Sequence, residues 1–476
     1  MAKRRPNSSS KLPLTRRRLL GTASCASLGS TTLLSNLFNL QLMSAAAADS
    51  GAMTSVPAGD YKAMVCLLLA GGNDSYNMVV PLESVEYDAY SATRTDLALA
   101  RESLLPIVDG ATAKTYGLHP SMPEMQALYD QGKVAMVANV GTLVEPVTGD
   151  QVRNGSAPVP LGLYSHIDQI DQWQTSVPDR RSLDGFAGRM ADLLASYNSQ
   201  SGLSLNVSLS GNNIFQTGAS GVGYSVDPIG GAVGIFGLDD DDLYAQLKKA
   251  NIQNTLEQRY HNLFEQQFVQ TVKGSMATQQ QFSSALAGTP TLTTAFSPDE
   301  LSASMATIAK IIAVRGALGM GRQTFYVVFG GWDHHDEVLN NQRAMLAVVS
   351  KALGDFHSAT VELGVEDQVV TFTTSDFART LTSNGQGSDH AWGSVQLVMG
   401  GGVKGGRFYG QYPNLALGSD LDTGRGRLVP TLAVDQYFAE LALWFGVAPH
   451  RLGDALPNIT RFYDPLGGQP PLGMLA

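Results

Sequence analysis

Between residues 324 and 406 four side chains have the types and spacing for divalent-metal chemistry. Asp333 and His335 follow the apolar run TFYVVF, Asp376 follows VVTFT, and His390 sits in the Gly/Ser-rich loop beyond. Carboxylate oxygens and imidazole nitrogens are hard or borderline ligands, and zinc takes both near a tetrahedral arrangement. In open parallel α/β sheets, sites form outside the carboxyl ends of strands. Two carboxylates and two imidazoles delivered there by separate loops read as a metal site. Asp74, in GGNDSYN after the apolar run 64–70, emerges at another strand end and completes the ligand set; its plainer reading is a turn or helix-cap residue. Zinc is the expected ion, with manganese and calcium as alternatives.

A candidate nucleophile, Ser165, stands in LYSHIDQIDQWQT (163–175), where Ile167, Ile170 and Trp173 recur at helical spacing after it. A serine at a helix start is commonly an N-cap, yet it also lies beside the helix's positive end, where an alkoxide is favoured. His166 next to it reads as a general acid, a substrate contact or a cap. His119, before Pro120 at a helix entry, reads as structural or as a substrate contact. Arg379 or Lys404 is placed to hold an anion. A cation near an alcohol stabilises its alkoxide, so this collection has the parts for phosphate- or sulfate-ester hydrolysis.

The elements that must position these groups alternate along the chain. The run 64–70 is a first buried strand, SMPEMQALYDQG (121–132) a helix and VAMVAN (134–139) the next strand. Helices are expected at 185–196, 256–286, 297–319, 340–363 and 434–447, and a strand at 203–211. The stretch 218–237 is Gly-rich and loop-like, and the acidic run 239–242 caps a helix start. Strands alternating with helices and no internal repeat make the class α/β. Residues 49–476 read as one domain carrying a Gly-rich and helical insertion around 212–296.

The chain has 476 residues with 43% hydrophobic and 16% charged, ample for a large core. Residues 1–48 hold seven basic residues, no acid, an apolar Ser/Ala-rich stretch and a small-residue site at 45–48, the pattern of an export signal. Thr15-Arg16-Arg17-Arg18-Leu19-Leu20 resembles a twin-arginine signal, read by the machinery that exports folded proteins. The mature chain is then periplasmic or extracellular, without a transmembrane anchor. It keeps 25 Lys and Arg against 42 Asp and Glu, a net −17 that disfavours nucleic acid as a partner. Cys25 leaves with the signal, so Cys66 stands alone as a buried small hydrophobe and no intrachain disulfide forms.

The segments LLLAGGNDSYNMVVP, YGLHPSMPEMQALYDQGKVAMVANVGTL, YSHIDQIDQWQT, GGWDHHDEV, TFTTSDFART, GSDHAWG, GGGVKGGRFYGQYP and GRGRLVPTLAVDQYFAELALWFGV together resemble the 1501 family of domains of unknown function. These are exported bacterial proteins grouped with the alkaline-phosphatase and sulfatase superfamily. The resemblance implies a three-layer α/β/α sandwich with a mainly parallel central sheet. It sets Asp74 as the first-strand metal aspartate, Ser165 in the nucleophile's place, Asp333 and His335 as the later ligand pair, Asp376 as an aspartate of a further pair and His390 as the last histidine. Phe377 stands where that further pair has its histidine. Ile167 and Gln169 stand where the sulfatase Cys-x-Pro-x-Arg motif has proline and arginine, so formylglycine chemistry is not expected. The resemblance therefore implies an exported metal-dependent hydrolase acting on a small-molecule or glycan ester. The alternative is a catalytically degenerate member serving as a cell-envelope binding or assembly protein.

Overall fold

The computed structural model describes residues 60–198, 203–221, 223–229, 231–232 and 242–475; the expected export signal at 1–48 and residues 239–241 of the acidic run lie outside them. The strands, in chain order, are β1 (Lys62–Ala70), β2 (Val79–Pro81), β3 (Leu105–Val108), β4 (Thr115–Leu118), β5 (Val134–Gly141), β6 (Asn206–Ser208) and β7 (Tyr224–Asp227). They continue with β8 (Gly231–Ala232), β9 (Arg322–Gly330), β10 (Val369–Ser375), β11 (Ser394–Gly400), β12 (Arg407–Tyr409) and β13 (Leu432–Ala433).

One large sheet runs β12-β5-β11-β10-β1-β9-β6-β7-β8, with β13 beside β5. It is mainly parallel: β10, β1, β9, β6 and β7 all point one way. Strand β11 runs antiparallel to both β10 and β5, which makes the sheet mixed. A separate antiparallel sheet holds β2, β4 and β3.

Strand β1 shows why the central sheet is covered on both faces. Ala63, Val65, Leu67 and Leu69 enter one core, and Met64, Cys66 and Leu68 enter the other. A continuous apolar run is what a strand buried on both sides requires. The first core takes Met305, Ile308 and Ile312 of the helix Glu300–Ala313 and Leu346, Leu353 and Phe356 of the helix Val338–Glu362. The second takes Phe186 and Met190 of the helix Phe186–Leu194 and Tyr437, Phe438 and Leu441 of the helix Val434–Phe445. The result is an α/β/α layering. Each fully buried Leu or Phe adds about 1.5–3 kcal/mol, so both layers are held by the same apolar run.

Local chemistry moved several expected boundaries. The strand expected at 203–211 contracts to β6, because the Ser208 hydroxyl accepts from Ser210 N (3.2 Å) and donates to Gly211 O (2.5 Å), turning the chain. Two helices follow the acidic run, Leu243–Glu257 and Leu263–Ala287; the helix expected at 256–286 is the second and starts later, because Asn262 caps it by accepting from Phe264 N at 2.8 Å. Asp242 caps the first, accepting from Ala245 N at 2.7 Å, as the acidic run suggested for its last member. Asp299 caps the helix Glu300–Ala313 through Ser302 N. Cys66 is buried, and burial raises its thiol pKa to about 12.

The topology sets three carboxyl ends side by side. In the parallel register Leu69 pairs with Ser375 and Ala70 with Gly330, so the loops after β1, β9 and β10 leave at one level. They interlock there. Trp332 N donates to Ala70 O, and Gly71 N donates to Asp376 Oδ1 at 3.0 Å. Gly71 has φ +120°, and a Cβ on it would lie 2.5 Å from Asp333 N, so only glycine allows the loop after β9 to close over it.

Candidate metal centre

Five polar side chains meet above those strand ends. Asp333 and His335 come from the loop after β9, Asp376 from the residue after β10, His390 from the loop before β11 and His166 from the first turn of the helix His166–Thr175. The segment that carries His390 pairs with the stretch after Asp376 through an antiparallel bridge, Arg379 to His390, with Ala391 N donating to Ala378 O.

The ring nitrogens divide into an outer and an inner set. His166 Nδ1 is 2.6 Å from Asp376 Oδ2, His335 Nδ1 is 3.1 Å from Asp389 Oδ1, and His390 Nδ1 is 2.8 Å from Tyr164 O. All three partners are acceptors, which assigns the hydrogen of each ring to Nδ1 and leaves Nε2 as a lone-pair donor. Those Nε2 atoms face inward. His390 Nε2 lies 3.1 Å from His166 Nε2 and 3.0 Å from His335 Nε2. The Asp333 carboxylate joins them, with Oδ1 3.2 Å from His390 Nε2 and 3.0 Å from His335 Nε2, and Oδ2 3.4 Å from His166 Nε2.

Lone pairs of neutral imidazoles repel at such distances unless a proton or a cation lies between them. Metal–ligand bonds of ~2.0–2.1 Å in a tetrahedron set neighbouring donors roughly 3.3 Å apart, close to these separations. The ligand atoms of His166, Asp333 and His390 lie within 4.8 Å of one another, and His335 stands beside the last two. The donor set therefore fits a divalent cation. Each imidazole also has the outer acceptor that fixes the tautomer of a metal-bound histidine. The cluster opens to solvent: the Asp333 side chain is 44% exposed and that of His335 46%.

Charges around the cluster are tuned. His166 has its pKa raised, first by the hydrogen bond it donates to Asp376, then by the charges of Asp376 and Asp333 against the opposing effect of burial. Burial pushes the Asp333 carboxyl up, but the Arg379 hydrogen bond and charge together with His166 and His335 bring it below its ordinary value. His390 is lowered, chiefly by burial. Burial opposes the drop at Asp389, yet Asn384, Arg425 and His335 take it down to about 2.

The remaining expected residues occupy other places. Asp74 lies outside the cluster; its carboxylate forms a fully buried ion pair with Arg94, whose Nη1 also donates to Thr380 O at 3.0 Å. A carboxylate in a dry interior needs such a partner, and Arg94 supplies it. Arg379 is buried and directs its guanidinium to Asp333 Oδ1 (2.7 Å) and Ser388 O (2.7 Å), so it orients the carboxylate of the cluster rather than facing solvent. His119 is buried at the entry of the helix Pro123–Asp130, where its Nδ1 accepts from Ser121 N at 3.1 Å; burial and then Arg343 lower its pKa to about 4. Lys404 reaches Gly473 O at 3.3 Å, against the C-terminal tail.

Ser165 is the N-cap residue of the helix His166–Thr175, half-buried, and its side chain makes no capping hydrogen bond. It lies between Tyr164, whose carbonyl holds His390, and His166. Phe377 packs on the cluster. Its buried ring stacks on His390 with centroids 4.6 Å apart and lies 4.9 Å from that of His166, an apolar wall that fixes both rings. Asp389 and the carbonyl of Tyr164 were not singled out in the sequence. Asp389 had a signal in its adjacency to His390, whereas a backbone carbonyl leaves no mark in residue type.

A family model described as "Protein of unknown function (DUF1501)" matches residues 61–424. The chain belongs to the DUF1501 family. No curated protein matches it. Among solved structures, this DUF1501 chain is similar to Ps i-CgsB in complex with k-i-k-neocarrahexaose (10% identity, 85% of this chain and 77% of that one, TM-score 0.33). It is also similar to the lipoteichoic acid synthase LtaP from Listeria monocytogenes (8% identity, 74% and 67%, TM-score 0.28).

Proposed function

We propose that this DUF1501 protein is a divalent-metal hydrolase of phosphate or sulfate esters. The observation that carries the reading is the convergence of three imidazole Nε2 atoms and the Asp333 carboxylate, each imidazole backed by its own acceptor, next to a serine at a helix start. His166, Asp333 and His390 hold the ion with His335 beside them, and zinc is the expected metal, with manganese and calcium as alternatives. A bound cation supplies Lewis acidity, lowering the pKa of a nearby alcohol and stabilising negative charge on the ester oxygens.

The chain's own residues do the rest. Ser165 is free of capping duty, and its Oγ forms the new bond to phosphorus or sulfur as the bond to the leaving ester oxygen breaks. The Ser165 hydroxyl proton ends on the leaving oxygen, which departs as the alcohol; water then attacks the phosphorus or sulfur, the bond to Oγ breaks, and a proton from that water restores the serine hydroxyl. Arg379 and Asp376 are positioning residues, the first acting through Asp333 and the second through His166. The substrate class is a small-molecule or glycan ester.

Export by the twin-arginine machinery belongs to the same reading. Among the described residues no helix is long and apolar enough to cross a membrane. A second reading, a cell-envelope binding or assembly protein without catalysis, is favoured by Phe377 and by the Asp74–Arg94 pair, which occupy two positions that a second metal would need.

One experiment separates the readings. The purified protein, Ser165→Ala and His390→Ala are analysed for bound metal by mass spectrometry and assayed on aryl phosphate and aryl sulfate. The hydrolase reading expects stoichiometric metal in the wild type and in Ser165→Ala, none in His390→Ala, and turnover by the wild type alone. Metal without turnover on any ester supports the binding protein, and a metal-free wild type after soaking with zinc removes the metal centre.

A further inference from the structure

Two of the outer acceptors are themselves gripped by one short hairpin, 422–428. Its ends pair through an antiparallel bridge between Asp422 and Leu428. Asp422 organises the turn: Oδ1 accepts from Gly424 N (2.8 Å) and Gly426 N (2.9 Å), and Oδ2 from Gly418 N (2.9 Å). Thr423 N donates to Arg427 O, and Gly393 N donates to Leu428 O, tying the hairpin to the segment that carries His390. At Gly426, φ is +71° and a Cβ would lie 2.4 Å from Leu381 Cβ, so the hairpin seats closely on the 380–382 loop.

The hairpin carries two arginines. Arg427 Nε donates to His390 O at 3.2 Å, and its guanidinium lies 5.0 Å from the centre of the Tyr164 ring. Tyr164 is held at φ +72°, a conformation that a bulky residue rarely adopts without support, and this conformation delivers its carbonyl to His390 Nδ1. Its hydroxyl meets Thr423 Oγ1 at 3.5 Å, a second contact with the hairpin. Arg425, at the tip with φ +62°, pairs with Asp389 Oδ2 at 2.6 Å while Asp389 Oδ1 faces His335 Nδ1. Both arginines follow the end of the family match at residue 424.

We propose that the hairpin 422–428 is a clamp that sets two of the three imidazoles, Arg427 fixing His390 through Tyr164 and Arg425 fixing His335 through Asp389. The proposal rests on the metal-centre reading for its consequence, though not for the contacts themselves. Arg427 and Arg425 are positioning residues. A guanidinium suits the task because it is planar, permanently charged and able to lie on a ring while donating at its edge. Outer-shell partners of metal-bound histidines commonly alter metal affinity about 10–100-fold when lost.

The test uses the purified protein with Arg427→Gln, Arg425→Gln and the conservative Arg427→Lys. Zinc affinity is measured by competition with a chromophoric chelator. Separately, long-range nitrogen–proton spectra of the histidine-labelled, zinc-free protein report which ring nitrogen of His390 and His335 carries hydrogen. We expect zinc affinity to fall about 10–100-fold in both glutamine variants. The hydrogen should leave Nδ1 of His390 in Arg427→Gln and become mixed at His335 in Arg425→Gln. The zinc-free unfolding temperature should stay within about 2 °C of wild type, and Arg427→Lys, keeping a cation over Tyr164, should recover part of the affinity. Unchanged affinity and unchanged ring spectra in a protein that binds zinc overturn the clamp and leave the metal centre standing. Weaker zinc with an equal loss of zinc-free stability and no ring change also overturns it, as a merely structural effect. A wild type that takes no zinc removes the metal reading; ring changes in the variants would then still support the clamp, and their absence would overturn both.

Discussion

The Asp376→Asn substitution isolates the hydrogen bond that prepares His166. Asp376 uses both oxygens: Oδ1 accepts from Gly71 N at 3.0 Å, and Oδ2 meets His166 Nδ1 at 2.6 Å. Asparagine fills the same space but has one acceptor and one donor end. If its oxygen serves Gly71, its amino group faces Nδ1, and the ring must move its hydrogen to Nε2, pointing it into the donor cluster. If the amide turns over, two N–H groups face each other at Gly71. Either outcome costs one hydrogen bond to a charged group, about 1.5–3 kcal/mol. At ~1.4 kcal/mol per tenfold, zinc affinity is expected to weaken roughly 10–100-fold. Chelator competition from pH 6 to 8.5 measures it. The pH profile adds a sign. The folded pKa of His166 is raised above its ordinary value, so protons compete with metal to a higher pH in the wild type, and the rise of affinity with pH should shift downward in Asp376→Asn. Zinc affinity equal to wild type at every pH would refute the assignment of His166 as a ligand backed by Asp376.

Two further predictions probe groups outside the cluster. Asp74→Ala leaves Arg94 charged in a dry interior and is expected to cost about 3–5 kcal/mol of stability by denaturant unfolding, while the folded protein keeps its zinc affinity within a few-fold. Loss of zinc without loss of stability would return Asp74 to the ligand set. Asp435, fully buried in the first turn of the helix Val434–Phe445, has its pKa raised by burial to about 7 against the lowering pull of Ser176 and Arg189. A carboxyl raised on folding stabilises in its acid form, so its contribution is present below its ordinary pKa near 3.8 and lost as pH climbs through about 7. Thermal unfolding should therefore show the wild type losing stability between about pH 4 and 7 relative to Asp435→Asn, which should be the more stable of the two at pH 8; parallel curves would contradict it.

The sequence by itself determined the sheet and the level at which chemistry would sit. Strand β1 is apolar on both faces because helices cover both, and β9 and β10 carry the apolar runs TFYVVF and VVTF; such runs need no partner to be recognised. Asp333, His335, Asp376 and His390 follow or flank those runs, so their arrival at one edge could be read from order alone. Tertiary structure decided which atoms meet. His166 and His390 are 224 residues apart, and no local pattern tells that their Nε2 atoms face each other. Asp74 leaves the same sheet edge as the others, yet the helix Ser84–Arg94, whose last residue lies 20 positions further on, brings Arg94 to it, and a buried charge is claimed by the partner that reaches it. The grips of Tyr164, Arg425 and Arg427 depend on a backbone carbonyl at positive φ and on a hairpin's seating. Those are properties of the folded chain's packing, and residue types in a row do not record them.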